Sequence, residues 1–129
     1  MDLELTDRES DVMRVLWHHG PSLVAEVREL LADSLAYTTV LTVLRILESK
    51  GFVGHTEAGK GYRYRALVEE HRAQRSALAR LTEKLFRGST ELMLVRLMEN
   101  EPLDRSQRER LRKILAGAPT ASKPRSKRP

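Results

Sequence analysis

The stretch AYTTVLTVLRILESKGFV, residues 36–53, decides how this chain folds. Its apolar residues recur at helical spacing, yet Thr38, Thr39 and Thr42 sit among them. Threonine is a mediocre helix former, because its β-branched side chain loses χ1 freedom against the preceding turn. At 100° per residue, Val40, Val43, Leu44 and Leu47 gather within about 100° of arc, which is a core face. Thr38, Thr42, Arg45 and Ser49 fall on the opposite side with Thr39 beside them. The outward edge is therefore short and polar, where a merely solvated helix would carry long Glu and Lys chains. Gly51 supplies the stop.

Upstream, Thr6 and Glu9 form a T-x-x-E capping box that opens a first helix. Val12, Met13, Leu16 and Trp17 make its buried stripe, and Gly20-Pro21 ends it. A second helix follows Ser22, with Val24, Val27, Leu30 and Leu31 expected inward. Downstream, GFVGHTE and GYRYRA flank a turn at Ala58-Gly59-Lys60 and read as a β-hairpin. Tyr62, Tyr64 and Ala66 alternate there with Arg63 and Arg65, so one face packs rings and the other presents guanidinium groups. Three helices followed by a basic hairpin is the order of a winged helix-turn-helix domain.

Beyond Ala66 the texture changes. Residues 69–87 read as a helix with Ala77, Leu78, Leu81, Leu85 and Phe86 on one side, ending at Gly88. Ser89 caps a helix whose Leu92, Met93, Leu94, Val95, Leu97 and Met98 are apolar nearly all round. Asp104 and Gln107 form a D-x-x-Q box before a last helix bearing Leu111, Ile114 and Leu115. Three short helices cannot bury such a segment by themselves, and a second copy of the chain is the simplest partner. The architecture expected is mainly α: a winged-helix DNA-binding domain over 1–66, a helical dimerisation domain over 67–117, and a disordered basic tail over 118–129.

The 129 residues carry a net charge of +5 that is unevenly spread. Residues 1–44 hold three arginines against eight acids, a net −5. Residues 45–66 hold Arg45, Lys50, Lys60, Arg63 and Arg65 against Glu48 and Glu57, a net +3, with His55 in addition. A positive patch beside an acidic body suits a polyanion. With no cysteine in the chain, disulfides and thiolate metal sites are excluded. No apolar run is long enough for a membrane span and no secretory signal is visible, so a cytoplasmic location is expected.

Catalysis finds little support. GKG at 59–61 lacks the phosphate-loop pattern, and there is no G-x-S-x-G and no Cys nucleophile. His18 and His19 point about 100° apart on a helix, a poor bidentate pair better suited to the negative end of the first helix. No enzyme activity, catalytic residue, metal or cofactor is expected. On the recognition helix of a helix-turn-helix, by contrast, threonine is apt. Its hydroxyl donates or accepts, its methyl meets the thymine methyl, and its shortness lets the backbone approach the groove floor.

LTDRESDVMRVLW (5–17), LAYTTVLTVLRILESKGFV (35–53) and GKGYRYRALV (59–68) together resemble the penicillinase and methicillin-resistance repressors, the BlaI/MecI family. The later segment LFRGSTELMLVRLMENEPLDRSQRERLRKIL (85–115) follows that family's dimerisation region, so the resemblance runs over roughly residues 4–117. It implies a homodimeric transcriptional repressor binding a dyad-symmetric double-stranded DNA operator. Base contacts would map to Thr38, Thr39 and Thr42, flanked by Tyr37 and Arg45. Lys50, His55, Lys60, Arg63 and Arg65 would serve the DNA backbone and wing. The dimer interface would draw on Leu78, Leu81, Leu85, Leu92, Met93, Val95, Leu97, Met98, Leu111, Ile114 and Leu115. The resemblance further implies release by a sensor-controlled protease cutting at Arg96-Leu97, although the Asn-Phe pair common in the resistance regulators is absent. The cysteine motif of the copper-responsive relatives is absent too. The rival readings are a winged-helix protein-interaction module and a small-molecule-responsive regulator. Lys123, Arg125, Lys127 and Arg128 in the tail would add nonspecific DNA affinity.

Overall fold

Thr6 starts α1 (Asp7–His19) with a reciprocal pair of bonds. The Glu9 backbone N–H donates to Thr6 Oγ1 at 3.2 Å, and the Thr6 N–H donates to Glu9 Oε1 at 2.9 Å. Two orphan donors of the first turn are thereby satisfied. Val12, Met13 and Leu16 are buried on the inner face. The helix stops at Gly20, whose φ of 93° suits a residue without Cβ. This computed structural model describes residues 4–100 and 102–119. The basic residues expected to form a tail, Lys123 to Arg128, lie outside the described residues.

After Pro21 the chain makes a two-residue strand, β1 (Ser22–Leu23), before α2 (Val24–Leu30). The spacing of apolar residues places the helix directly after Ser22, with no strand between. Two residues show no alternation, and β1 exists only because Ser22 pairs with Tyr64 and Leu23 with Arg63 across the later hairpin. Within α2, Val24 and Val27 are buried, and Leu31 packs against the core just past its end. Leu30 was expected inward but is 45% exposed. It lies about 60° of arc beyond Val27, outside the stripe that Val24, Val27 and Leu31 define.

The decisive helix is α3 (Tyr37–Ser49). Val40, Leu44 and Leu47 are fully buried, and Leu41 and Val43 pack at the margin. It ends with two bonds of a Schellman motif: Gly51 N–H to Glu48 O at 3.0 Å and Phe52 N–H to Leu47 O at 2.9 Å, with Gly51 at φ 89°. The turn delivers Phe52 into the core and leads directly into β2.

β2 (Val53–Ala58) and β3 (Gly61–Ala66) form the expected hairpin, in register from Val53 opposite Ala66 to Ala58 opposite Gly61. With β1 they make a three-stranded antiparallel sheet ordered β1-β3-β2. Tyr64 is buried at 2% exposure, whereas Tyr62, two residues nearer the tip, is 38% exposed. The two share a face, but the core extends only as far as Tyr64. The fold is a winged helix, in agreement with the expectation.

Val68 enters the core and accepts a hydrogen bond from Trp17 Nε1 at 2.8 Å on its carbonyl. α4 (Glu70–Leu85) then begins, with Ala73 buried. Packing divides the chain after Gly88, so α4 goes with the winged helix, whereas the change of texture after Ala66 suggested an earlier boundary. In the second unit, α5 (Thr90–Asn100) is capped by Ser89, whose Oγ accepts from Leu92 N–H at 3.0 Å. α6 (Arg105–Gly117) opens with the reciprocal Asp104–Gln107 box. Neither α5 nor α6 has a buried residue among the described ones. No described helix is long and apolar enough to cross a membrane.

Candidate nucleic-acid interface

The outer edge of α3 follows from its inner one. With Val40, Leu44 and Leu47 held in the core, Thr38, Thr39, Thr42, Arg45 and Ser49 are all exposed. Tyr37, at the first position, is 42% exposed. The first turn contains no acid, and Ala36 at the cap offers no side-chain bond. The positive end of the helix dipole is thus left uncompensated by the helix's own side chains, a state that suits phosphate. Thr42 Oγ1 donates to Thr38 O at 2.9 Å, so its hydrogen is used within the helix. What Thr42 offers outward is an oxygen acceptor and a methyl group.

On the hairpin, Arg63 and Arg65 lie on the face opposite Tyr62 and Tyr64, as strand alternation requires. Arg63 Nη1 is 3.9 Å from Glu26 Oε1, an exposed and loose pair. Arg65 lies over Gly54, its cross-strand partner, where a Cβ would meet the guanidinium at 3.4 Å. Lys60 is exposed beside the turn. Among the described residues, Arg45, Lys60 and Arg65 have no ion-pair partner. Guanidinium and ammonium groups so placed can neutralise phosphates.

The remaining two candidates sit differently. Lys50 Nζ, at the C-terminal cap of α3, lies 2.7 Å from Glu9 Oε1 in the first turn of α1. His55 Nδ1 lies 2.8 Å from both carboxylate oxygens of Glu48. Its ring meets Tyr62 edge-on at 4.9 Å and Tyr64 at 5.2 Å. Burial pushes the Tyr64 phenol up, with the Glu48 carboxylate adding to the effect and Arg45 opposing it. Sequence reasoning missed the roles of Glu9, Glu48 and Trp17 as partners. Glu9 was visible only as half of a capping box, and Glu48 only as a charge inside the basic stretch.

Away from α3, a groove of about 460 Å³ runs between Leu5 and the Ala77, Leu81 and Leu85 side of α4. Leu78, Leu81 and Leu85 are exposed along that helix. Leu94, Val95, Leu97 and Met98 are exposed on α5, and Leu111, Ile114 and Leu115 on α6. Leu92 and Met93 are half-buried. Arg96 pairs with Glu99 at 3.2 Å within α5. Among the described residues, no group of three or more His, Cys, Asp or Glu could hold a metal ion.

Comparison with known proteins points the same way. Residues 5–117 match the family model described as penicillinase repressor. The methicillin resistance regulatory protein MecI of Staphylococcus aureus (strain N315) is 24% identical over 116 residues, covering 87% of this chain and 93% of that protein. The penicillinase repressor of Bacillus licheniformis is 25% identical over 114 residues, covering 87% and 89%. An uncharacterized 16.5 kDa protein of Latilactobacillus sakei is 29% identical over 121 residues, covering 92% and 83%. Among solved structures, a chain from the complex structure of hsRosR-S4 superposes with a TM-score of 0.53 at 18% identity, covering 89% of this chain and 90% of that one. That likeness is one of fold.

Proposed function

The chain belongs to the penicillinase repressor family of winged-helix, DNA-binding transcriptional repressors, and on that premise we propose that it acts as a homodimer on a dyad-symmetric operator. The observation that carries this reading is the exposed row Thr38, Thr39, Thr42 and Arg45. It stands on a helix whose opposite face is locked in the core. Those residues, with Tyr37, read base edges in the major groove. Lys60, Arg63 and Arg65 bind phosphates and set the register of the wing.

Dimerisation is supported by the second unit. Two helices whose described residues are none of them buried cannot be stable alone, since a segment this short buries too little apolar surface to offset its chain entropy. Covering Leu97, Ile114 and Leu115 with a second copy would contribute roughly 1.5–3 kcal/mol for each side chain fully buried. Two winged helices so joined recognise half-sites about one helical turn, or a multiple of it, apart. Repression then follows from occlusion of the promoter. Cleavage at Arg96-Leu97 would cut α5 near its middle and dismantle the pairing half, leaving two weakly binding wings.

The test is a titration against a duplex selected from a randomised pool, with an unselected duplex as control. Arg63→Ala and Arg65→Ala should each weaken binding to both duplexes alike. Each should also flatten the salt dependence by about one unit for every phosphate the side chain no longer neutralises. A protein that prefers no duplex over random competitor is not a sequence-specific repressor.

A further inference from the structure

The wing is held by less than its length suggests. Val53 and Tyr64 are buried, but His55, Thr56, Glu57, Lys60 and Tyr62, toward the tip, are all exposed. On β2, His55 is the residue nearest the tip with a polar bond to a helix among the described residues, and that helix is α3; on β3, Arg63 makes only a loose 3.9 Å pair with Glu26 of α2. The His55 Nδ1 meets both oxygens of Glu48 at 2.8 Å, with the two side chains 35% and 34% exposed. On the carboxylate, Nδ1 must donate, which assigns the ring proton to that nitrogen. The Tyr62 and Tyr64 rings brace the imidazole from β3. Glu48 itself is fixed, because it lies in the last turn of α3 and its carbonyl accepts the Gly51 N–H of the Schellman turn.

The geometry points to Glu48–His55 as a positioning pair that sets the angle between the wing and the recognition helix. The inference rests on the DNA-binding reading above and deepens it: His55 acts through Glu48 instead of through a phosphate of its own. The lever is long. From His55 to Ala58 the strand extends about 10 Å at roughly 3.4 Å per residue before the turn, so a tilt of about 10° moves the tip by about 2 Å. A shift of that size exceeds the tolerance of a hydrogen bond to phosphate. The bond also engages in place a carboxylate that would otherwise face the same polyanion as Arg45, one turn away on α3.

Two measurements on the full-length protein test this. Backbone amide relaxation should show residues 56–62 losing order in Glu48→Ala and His55→Phe while α3 stays rigid. His55→Gln, whose amide can still donate to Glu48, should restore the order. Against the selected duplex, His55→Phe should lose about fivefold in affinity, the range of one partly exposed charge-assisted hydrogen bond, and His55→Gln should recover most of it. The salt slope should not move in either, because neither substitution removes a group that neutralises phosphate. If His55 instead touches phosphate, Glu48→Ala tightens binding and His55→Gln lowers the slope by about one, and the inference is overturned. Unchanged order in the wing also overturns it, as does a loosened wing with unaltered affinity. The relaxation arm needs no DNA, so it still decides whether the pair holds the wing if the parent protein binds no duplex selectively.

Discussion

The Glu9 carboxylate and the Lys50 ammonium lie 2.7 Å apart, joining the first turn of α1 to the residue that caps α3. Glu9 is only 5% exposed, and the same oxygen accepts the Thr6 N–H of the capping box. Burial alone pushes this carboxyl up. The bond from Lys50, the Thr6 backbone N–H, the Lys50 charge and the Thr6 hydroxyl together outweigh it and hold the group below the ordinary carboxylate range. The helix α3 is thus tethered at its C-terminal end by a nearly buried charge.

A lowered carboxyl value has a defined consequence for stability. The contribution of Glu9 is present above the ordinary carboxylate range and is lost as the pH falls through the lowered value. Glu9→Gln should therefore cost about 1–3 kcal/mol near neutrality, by leaving the Lys50 ammonium without the negative charge it pairs with. The gap to the parent protein should close in acid. Thermal unfolding followed by circular dichroism between neutral and acidic pH measures this, and a gap that stays constant would place the stabilisation elsewhere.

Trp17 donates to Val68 O at 2.8 Å from α1, just before α4 begins. Trp17→Phe removes the donor and leaves a carbonyl on a residue that is 3% exposed. The urea midpoint should drop by the equivalent of about 1–2 kcal/mol, with the denaturant slope unchanged. A shift within error would mean that water replaces the indole.

Thr42 spends its hydroxyl hydrogen on Thr38 O, so what it presents outward is an acceptor with a methyl group. Thr42→Val keeps the shape and deletes the acceptor. Stability should change by less than about 0.5 kcal/mol, because the site is exposed. The preferred duplex sequence should relax at the one position facing residue 42. Repeating the selection from a randomised pool reads this directly; an identical motif would remove Thr42 from the readout.

Ile114 is 63% and Leu115 68% exposed on α6. If they lie in the pairing surface, Ile114→Glu should shift the protein to the monomer mass in light scattering at micromolar concentration. Affinity for the two-half-site duplex should fall with it, while an isolated half-site binds as before. A dimer that persists in both Ile114→Glu and Leu115→Glu would move the interface off this face of α6.

Much of this architecture is written in local rules. Thr6 with Glu9 and Asp104 with Gln107 announce helix starts, because capping chemistry acts over three residues. The Val40, Leu44 and Leu47 stripe and Gly51 state the length and inner face of α3, and the alternation of Tyr62 to Arg65 states the hairpin. The exposed edge of threonines was legible as the complement of that stripe. Leu30 was misjudged because its residue type is apolar, whereas its angle on a helix of seven residues leaves it beside the core stripe.

By itself, then, the sequence determined the elements, their order, the helix face that turns outward and the sign of the wing's charge, since each depends on neighbours within a few residues. The tertiary structure alone decided that Ser22–Leu23 is a strand, that Lys50 belongs to Glu9 and His55 to Glu48, and that Trp17 ties α1 to the entrance of α4. These depend on partners brought together by burial of the shared core, and an ion pair or a ladder bond carries no periodic mark in the residues that will make it.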